Sequence, residues 1–247
     1  MIDNAPADTQ DMNGNLSKDK QQFPKDNLTT TLKDAIKIFG DNTEDTYIPT
    51  MYTDNAPTTT EFTSVYTDSA CINNGDNNAA AGLGIWYEDG NPRNVSMRVP
   101  IAQQSNQSGE LMAILTAAKR HPPNKNLRII SNSRYTIDRL TKHLKKWEAK
   151  DWADSHHGTL FKCITAWLRW RPGKTNLKWV KGHSRIKGNE EADRLASEGA
   201  TKPMLPDATP LEFPLNLTTN GATLAYLNQK DLYHIILNKN KTPKMSG

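Results

Sequence analysis

The sequence predicts an α/β fold: a mixed five-stranded sheet, three antiparallel strands continued by parallel strands, with helices covering it. Two observations carry this reading. Three β-rich segments follow one another between residues 63 and 99, joined by an Asn/Gly turn and by Glu88-Asp-Gly-Asn-Pro-Arg. Beyond them, helical patterns alternate with short strand-like runs, giving the order βββαβααβα of a hairpin-bearing sheet that turns to parallel crossovers. A third observation bounds the fold: polar residues dominate before residue 62, and a linker with four prolines follows residue 200.

Residues 1–61 form a polar N-terminal segment. Up to about residue 26 it is rich in Asp, Asn, Gln and Lys, a composition that predicts disorder. Leu28 to Phe39 reads as one short helix with Leu32, Ile36 and Phe39 on a common face. Thr63 to Asp68 is the first strand of the 62–200 domain. Gly82-Leu-Gly-Ile-Trp-Tyr and Asn94-Val-Ser-Met-Arg-Val are the next two. Gln107 to Arg120 places Leu111, Ile114, Leu115 and Ala118 at helical spacing, and Pro122 and Pro123 stop it. Leu127-Arg-Ile-Ile-Ser is a strand. A Lys-rich helical region with Leu140, Leu144 and Trp147 follows, then a helix bearing Leu160, Cys163, Ile164, Trp167 and Leu168. Asn176 to Val180 is the last strand and Asn189 to Gly199 the last helix of the domain. In residues 201–247 a linker with four prolines leads to an amphipathic helix over Gly221–Asn238, carrying Leu224, Leu227, Leu232, Ile235 and Ile236.

The composition is that of a folded core with segments that bury little: 36% hydrophobic residues and a mean hydropathy of −0.73. The net charge of +4 says little, but its distribution says more. Between Lys119 and Gly188 stand 18 Lys and Arg against four acids, so that stretch is +14 and the remainder −10. Such a block suits a polyanionic partner, since each neutralised phosphate releases counterions; the plainer reading is a solvated face of ordinary cations. Cys71 and Cys163 are isolated, which argues against a disulfide framework or a zinc site and for reduced thiols. The acidic N-terminus resembles neither a secretory signal nor a mitochondrial presequence, and no run is long enough to span a membrane. An intracellular protein of the nucleus or cytoplasm is expected, and a monomer.

Four polar residues stand out. Asp68 ends the first strand and Asn132 ends the fourth; if these strands are parallel neighbours, both side chains open at the carboxyl edge, where α/β proteins place ligands. Glu110 lies in line with Ala113, Ile114 and Ala117, so it faces the sheet. Asp193 sits one turn into its helix beside Ala192 and Ala196. Taken singly, each is equally a turn residue or an acid at a helix N-terminus. Gathered at one crevice they would need cations, because neighbouring carboxylates cannot all ionise unaided. Oxygen-only ligands point to Mg²⁺ or Mn²⁺.

Six segments together resemble type 1 ribonuclease H in its eukaryotic and retroelement-borne forms. They are Val65-Tyr-Thr-Asp-Ser-Ala-Cys, Gly82-Leu-Gly-Ile-Trp, Gln104-Ser-Asn-Gln-Ser-Gly-Glu-Leu, Ser131-Asn-Ser-Arg-Tyr, Val180-Lys-Gly-His-Ser and Gly188-Asn-Glu-Glu-Ala-Asp-Arg-Leu-Ala. The resemblance implies a ribonuclease H-like fold and two-metal hydrolysis of the RNA strand of an RNA–DNA hybrid. It makes Asp68, Glu110 and Asp193 ligands for two Mg²⁺ or Mn²⁺ ions, and His183 an aid to proton transfer or product departure. It places Asn74, Asn106 and Gln107 on the RNA strand and Ser105 on a DNA-strand phosphate. Trp147 and Trp152, among Lys145, Lys146 and Lys150, become a basic arm on the DNA strand; either tryptophan could instead be half-buried core.

Two positions depart from the pattern. Ser69 replaces a glycine, a minor change, and Asn132 replaces a third metal-ligating aspartate. An amide oxygen still coordinates, but one formal negative charge is lost, so the resemblance implies weakened cleavage with duplex binding retained. Engineered inactivation and decay of a retroelement-derived copy both fit. The competing reading is a non-catalytic nucleic-acid-binding module that keeps the fold and the basic channel. A transposase- or resolvase-like enzyme on the same fold is opposed by the Lys-Gly-His and Asn-Glu-Glu-Ala-Asp pairing.

Overall fold

Buried positions at Val65 and Thr67, through Ala81–Ile85, and at Leu127, Ile129, Thr175 and Leu177 build the expected sheet. The computed structural model describes residues 20–22, 37–38, 60–153, 155–204, 211–212, 217–218 and 221–240. In chain order, the described elements begin with β1 (Lys20–Gln22) and β2 (Lys37–Ile38). The antiparallel half follows: β3 (Thr63–Ile72), β4 (Ala80–Trp86) and β5 (Val95–Arg98). Next come α1 (Asn106–Arg120), β6 (Leu127–Ser131), α2 (Arg134–Leu140), α3 (Leu144–Ala149), α4 (Gly158–Trp170), β7 (Thr175–Trp179) and α5 (Lys187–Thr201). The described chain closes with β8 (Ala222–Thr223), a 3-10 turn over Leu224–Tyr226, and α6 (Gln229–Asn240).

Strands β7, β6 and β3 are parallel neighbours, and β3, β4 and β5 are antiparallel, which is the mixed five-stranded arrangement expected. A sixth strand, β1, pairs antiparallel with β7 through Lys20↔Lys178 to Gln22↔Asn176. It comes from the stretch whose composition predicts disorder. An edge strand needs only its backbone to pair, so composition does not reveal it. Lys37 and Ile38, expected in a helix, form a two-residue ladder with Thr223 and Ala222; the remainder of that expected helix lies outside the described residues.

The Lys-rich region is two helices rather than one. Thr141 hydroxyl turns back to the Ile137 carbonyl at 2.7 Å and the chain breaks there, α3 restarting at Leu144. The C-terminal helix begins at Gln229, later than expected. Gly221 adopts φ 75°, and Asn228 and Asp231 then exchange bonds: Asp231 N–H to Asn228 Oδ1 at 2.9 Å, Asn228 N–H to Asp231 Oδ2 at 3.0 Å.

One core joins Val65, Ile129 and Leu177 of adjacent strands to Leu111, Ile114 and Leu115 of α1 and Leu160, Phe161 and Ile164 of α4. Two cations of the basic block are structural. Arg171, fully buried, donates to the carbonyls of Ala118, His121, Pro122 and Lys125 at 2.8–3.0 Å, closing the end of α1 onto the chain after α4. Arg169 forms a buried two-pronged bond with Glu148 at 2.6 and 2.8 Å. No described helix is long and apolar enough to cross a membrane.

Candidate active site

The pairing of β3 with β6 runs from Thr63↔Leu127 to Thr67↔Ser131, so Asp68 and Asn132 stand side by side just past the last parallel pair. Asp68 does not end its strand as expected. β3 continues to Ile72, paired with β4 alone, because β6 turns away at Ser131. The carboxylate of Asp68 accepts from its neighbour's N–H, Ser69 at 2.8 Å, and both its oxygens accept from Asn132 Nδ2, at 3.1 and 3.0 Å.

Close helix approach brings the other acids in. A Cβ on Gly84 would stand 1.9 Å from the Ala192 carbonyl oxygen, and one on Gly82 would stand 2.1 Å from that of Ala196. The Gly-Leu-Gly of β4 therefore lets α5 lie directly on the sheet, which lowers Asp193, half-buried, toward Asp68. On the other face a Cβ on Gly109 would reach within 2.6 Å of Ser69 Cβ. This closeness puts Glu110, one residue on, beside Asp68, with Ser131 hydroxyl 3.5 Å from its Oε2.

Electrostatics follow from this crowding. Burial, then the charge of Asp68, raises Glu110 to about 8. Burial raises Asp68 to about 6, with the charge of Asp193 adding to it, while the Ser69 and Asn132 bonds and the charge of His183 pull it down. Asp68, Glu110, Asn132, His183 and Asp193 thus meet at one edge of the sheet. His183 is exposed, at φ 53°, in the loop between β7 and α5. Gly182 in that loop packs toward the Asn132 side chain, where an added Cβ would be 3.5 Å from Nδ2. Among the described residues no three His, Cys, Asp or Glu side chains are drawn tightly enough to form a closed metal cage.

A second group gathers at the start of α1. Asn74 Oδ1 accepts the Asn106 N–H at 3.0 Å, and Asn106 Oδ1 accepts from Ser69 hydroxyl at 3.1 Å, which ties this corner to Asp68's neighbour. Gln107 Oε1 meets His157 Nε2 at 3.3 Å. Asn74, Asn106 and Gln107 are exposed. Ser105 caps α1: its hydroxyl accepts the Ser108 N–H at 3.1 Å, and Ser108 hydroxyl accepts the Ser105 N–H at 2.9 Å.

The RNase H family model matches residues 60–201, more than half of the chain. The chain belongs to the RNase H family. It is 37% identical over 147 residues to Ribonuclease H1 of Homo sapiens, covering 57% of this chain and 50% of the relative. It is 35% identical over 141 residues to Ribonuclease H of Schizosaccharomyces pombe, covering 56% and 53%. To Ribonuclease H of Actinobacillus pleuropneumoniae it is 29% identical over 152 residues, covering 60% and 95%. The chain thus spans about half the length of the eukaryotic relatives.

Beside this RNase H core the expected basic arm is only partly as read. Lys145 and Lys146 on α3 are exposed, and Trp147 is half-buried with the Arg139 guanidinium 4.5 Å from its ring centre. Trp152 is no surface residue. It is 3% exposed and stacks on Phe161 at 4.7 Å and on Trp147 at 6.1 Å, so it supports the arm from within. Left-handed backbone at Asp151 and Trp152, φ 53° and 55°, turns that ring inward. Lys150 is taken by Asp231 at 2.6 Å. Sequence reasoning missed Trp179, whose Nε1 donates to the Asn132 carbonyl at 2.9 Å, and His157 behind Gln107. An indole at a strand end gives no signal of its own; Ser131, next to Asn132, could have been found from its position.

Proposed function

We propose that the chain is an RNA–DNA hybrid ribonuclease whose cleavage Asn132 limits. The observation that carries this is the convergence of Asp68, Glu110 and Asp193 at the carboxyl edge of parallel β3 and β6. The residues fit divalent cations in charge and in donor type. Two desolvated carboxylates, Glu110 raised further by the charge of Asp68 and Asp68 by that of Asp193, are stabilised by a nearby positive ion, and oxygen donors select Mg²⁺ or Mn²⁺. Asp68, Glu110 and Asp193 would hold two ions. Bound there, they would supply an activated water and charge for the leaving 3′-oxygen.

The chain's own residues do the remainder. Asn132 stands where a carboxylate would complete the ligand set, and its amide donates to Asp68 instead. His183, exposed on its loop beside Asn132, moves a proton or product at the mouth of the site. Exposed Asn74, Asn106 and Gln107 both donate and accept, the chemistry needed to read a ribose 2′-hydroxyl. Ser105, at the same helix start, faces a DNA-strand phosphate. Lys145, Lys146 and Trp147 hold the DNA strand.

The test is cleavage of a strand-labelled hybrid with Mg²⁺ or Mn²⁺, using this protein and Asn132→Asp. Cutting confined to the RNA strand, and lost in Asp68→Asn, is expected. Cutting of duplex DNA at a similar rate, or activity that survives Asp68→Asn, would overturn the proposal.

A further inference from the structure

A cavity of about 380 Å³ opens at the edge of the sheet away from Asp68, where β3 and β6 begin. Thr63, in its wall, starts the strand that carries Asp68, so roughly 17 Å of strand separates the cavity from that carboxylate. No residue of the active site or of the arm lines it. Its floor is the loop after α1, and that loop is clamped. Arg171 holds the carbonyls of His121, Pro122 and Lys125, and Lys125 N–H returns to the Pro122 carbonyl at 3.1 Å. The Asn126 carbonyl accepts the Thr63 N–H at 3.0 Å, and its side-chain oxygen accepts the Lys174 N–H at 3.0 Å. The floor is therefore set in one shape before anything binds.

His121 lines this cavity, is 1% exposed, and makes no hydrogen bond through either ring nitrogen among the described residues. The Asn126 backbone lies near the ring but completes no bond with it. A polar group buried without a partner is costly, so an orphaned ring in a cavity wall marks where a ligand's polar atoms belong. Burial and the charges of Arg171 and Arg93 keep the ring neutral, so one nitrogen donates and the other accepts. Half-buried Phe62 and Pro122 add an apolar wall. Arg93 and Lys125, both exposed, stand at the mouth against one lining acid, Glu61. The Arg93 guanidinium lies 4.5 Å from the centre of the Tyr87 ring, which stacks on His121, so cation and imidazole belong to one packed unit.

We propose that this cavity binds a nucleoside monophosphate, with the phosphate on Arg93 and Lys125 and the base between Phe62, Pro122 and the His121 ring. The volume falls in the range of small-molecule sites, which starts near ~300 Å³. A heterocyclic base carries donors and acceptors along one edge, which a neutral imidazole matches with its two nitrogens. Inorganic phosphate or a simple carboxylate only accepts, and would leave the accepting nitrogen of His121 unpaired.

The test is calorimetry on the whole protein without metal, with adenosine and uridine monophosphates, their nucleosides and inorganic phosphate as probes. At least one monophosphate should bind with a dissociation constant below about 1 mM, and about tenfold more tightly than its nucleoside or phosphate. The double variant Arg93→Gln, Lys125→Gln should weaken the monophosphate about tenfold and leave the nucleoside unchanged. His121→Phe keeps the stack on Tyr87 and should weaken both. The double variant lies on the surface, so it tests the site whatever His121→Phe does to folding. No binding of either monophosphate leaves the cavity to water and overturns the proposal. So does a nucleoside or phosphate that binds as tightly as the monophosphate, or an affinity unchanged in both variants. Displacement of the monophosphate by a blunt RNA–DNA hybrid would move it to the active site or the arm, and also overturns the proposal.

Discussion

Asn132 Nδ2 lies 3.1 and 3.0 Å from the two carboxylate oxygens of Asp68 and donates to both. An ionised carboxylate can only accept, so the amide turns its nitrogen, not its oxygen, toward Asp68. The bond pulls the proton affinity of Asp68 down and holds that side chain in place without a cation. It also sets a donor where a metal ligand would have to present an oxygen. On the proposed reading, the residue that removes one ligand therefore engages a second.

Asn132→Asp should raise hybrid cleavage at least tenfold, which is only ~1.4 kcal/mol of transition-state stabilisation. Initial rates at saturating Mg²⁺ or Mn²⁺ measure it. Equal rates for the two proteins would show that Asn132 does not limit the chemistry.

Glu110→Gln and Asp193→Asn should leave metal-free hybrid binding within a few-fold of the starting protein. Affinity is expected from exposed cations such as Lys145 and Lys146, whose phosphate contacts weaken steeply as salt rises. A salt titration followed by fluorescence anisotropy checks both statements. Binding insensitive to salt would argue against a phosphate backbone on this face.

Stability should fall in acid through His121. The ring is 1% exposed and stacked on Tyr87, and burial, then the charges of Arg171 and Arg93, lower it to about 4. A histidine whose folded value lies below the unfolded 6.5 stabilises the fold fully above pH 6.5. That contribution is lost as pH falls from 6.5 toward 4, amounting to roughly 3 kcal/mol. His121→Phe keeps the stacked ring and removes the titration. Its melting temperature should decline less than that of the parent between pH 7 and pH 4, and parallel curves from calorimetry would refute this.

The strands and the acids were legible because their signals are local. Asp68 reads as the end of a strand, Glu110 falls in line with Ala113, Ile114 and Ala117, and Asp193 beside Ala192 and Ala196, while Gly82 and Gly84 mark where α5 touches β4. What was not legible depends on contacts distant in sequence. Trp147 and Trp152 sit in one Lys-rich stretch and look alike, but only the left-handed turn at Asp151 and Trp152 sends the second ring into the core. Arg169 and Arg171 counted toward the basic block, although Glu148 and four carbonyls bury them. The edge strand β1 is polar, and its pairing is written in the free edge of β7 rather than in Lys20, Gln21 or Gln22.

Substrate class is tested most sharply at the start of α1. Asn74 and Asn106 are joined through Asn74 Oδ1 and the Asn106 N–H, and Gln107 is braced by His157, so three exposed amides are held in a fixed array. Each amide can both donate to and accept from a ribose hydroxyl, whereas deoxyribose offers only carbon there. Losing such contacts costs on the order of 1 kcal/mol each. The protein should therefore prefer an RNA–DNA hybrid over duplex DNA of the same sequence in competition at fixed salt. The double variant Asn106→Ala, Gln107→Ala should erase that preference and leave duplex DNA affinity nearly unchanged, because Lys145, Lys146 and Trp147 grip a strand by charge and shape. Because the Asn106 contact to Asn74 uses backbone N–H, the alanine variant keeps that tie and tests the side chain alone. A parent protein that binds duplex DNA as tightly as hybrid would refute the assignment of these amides to the RNA strand.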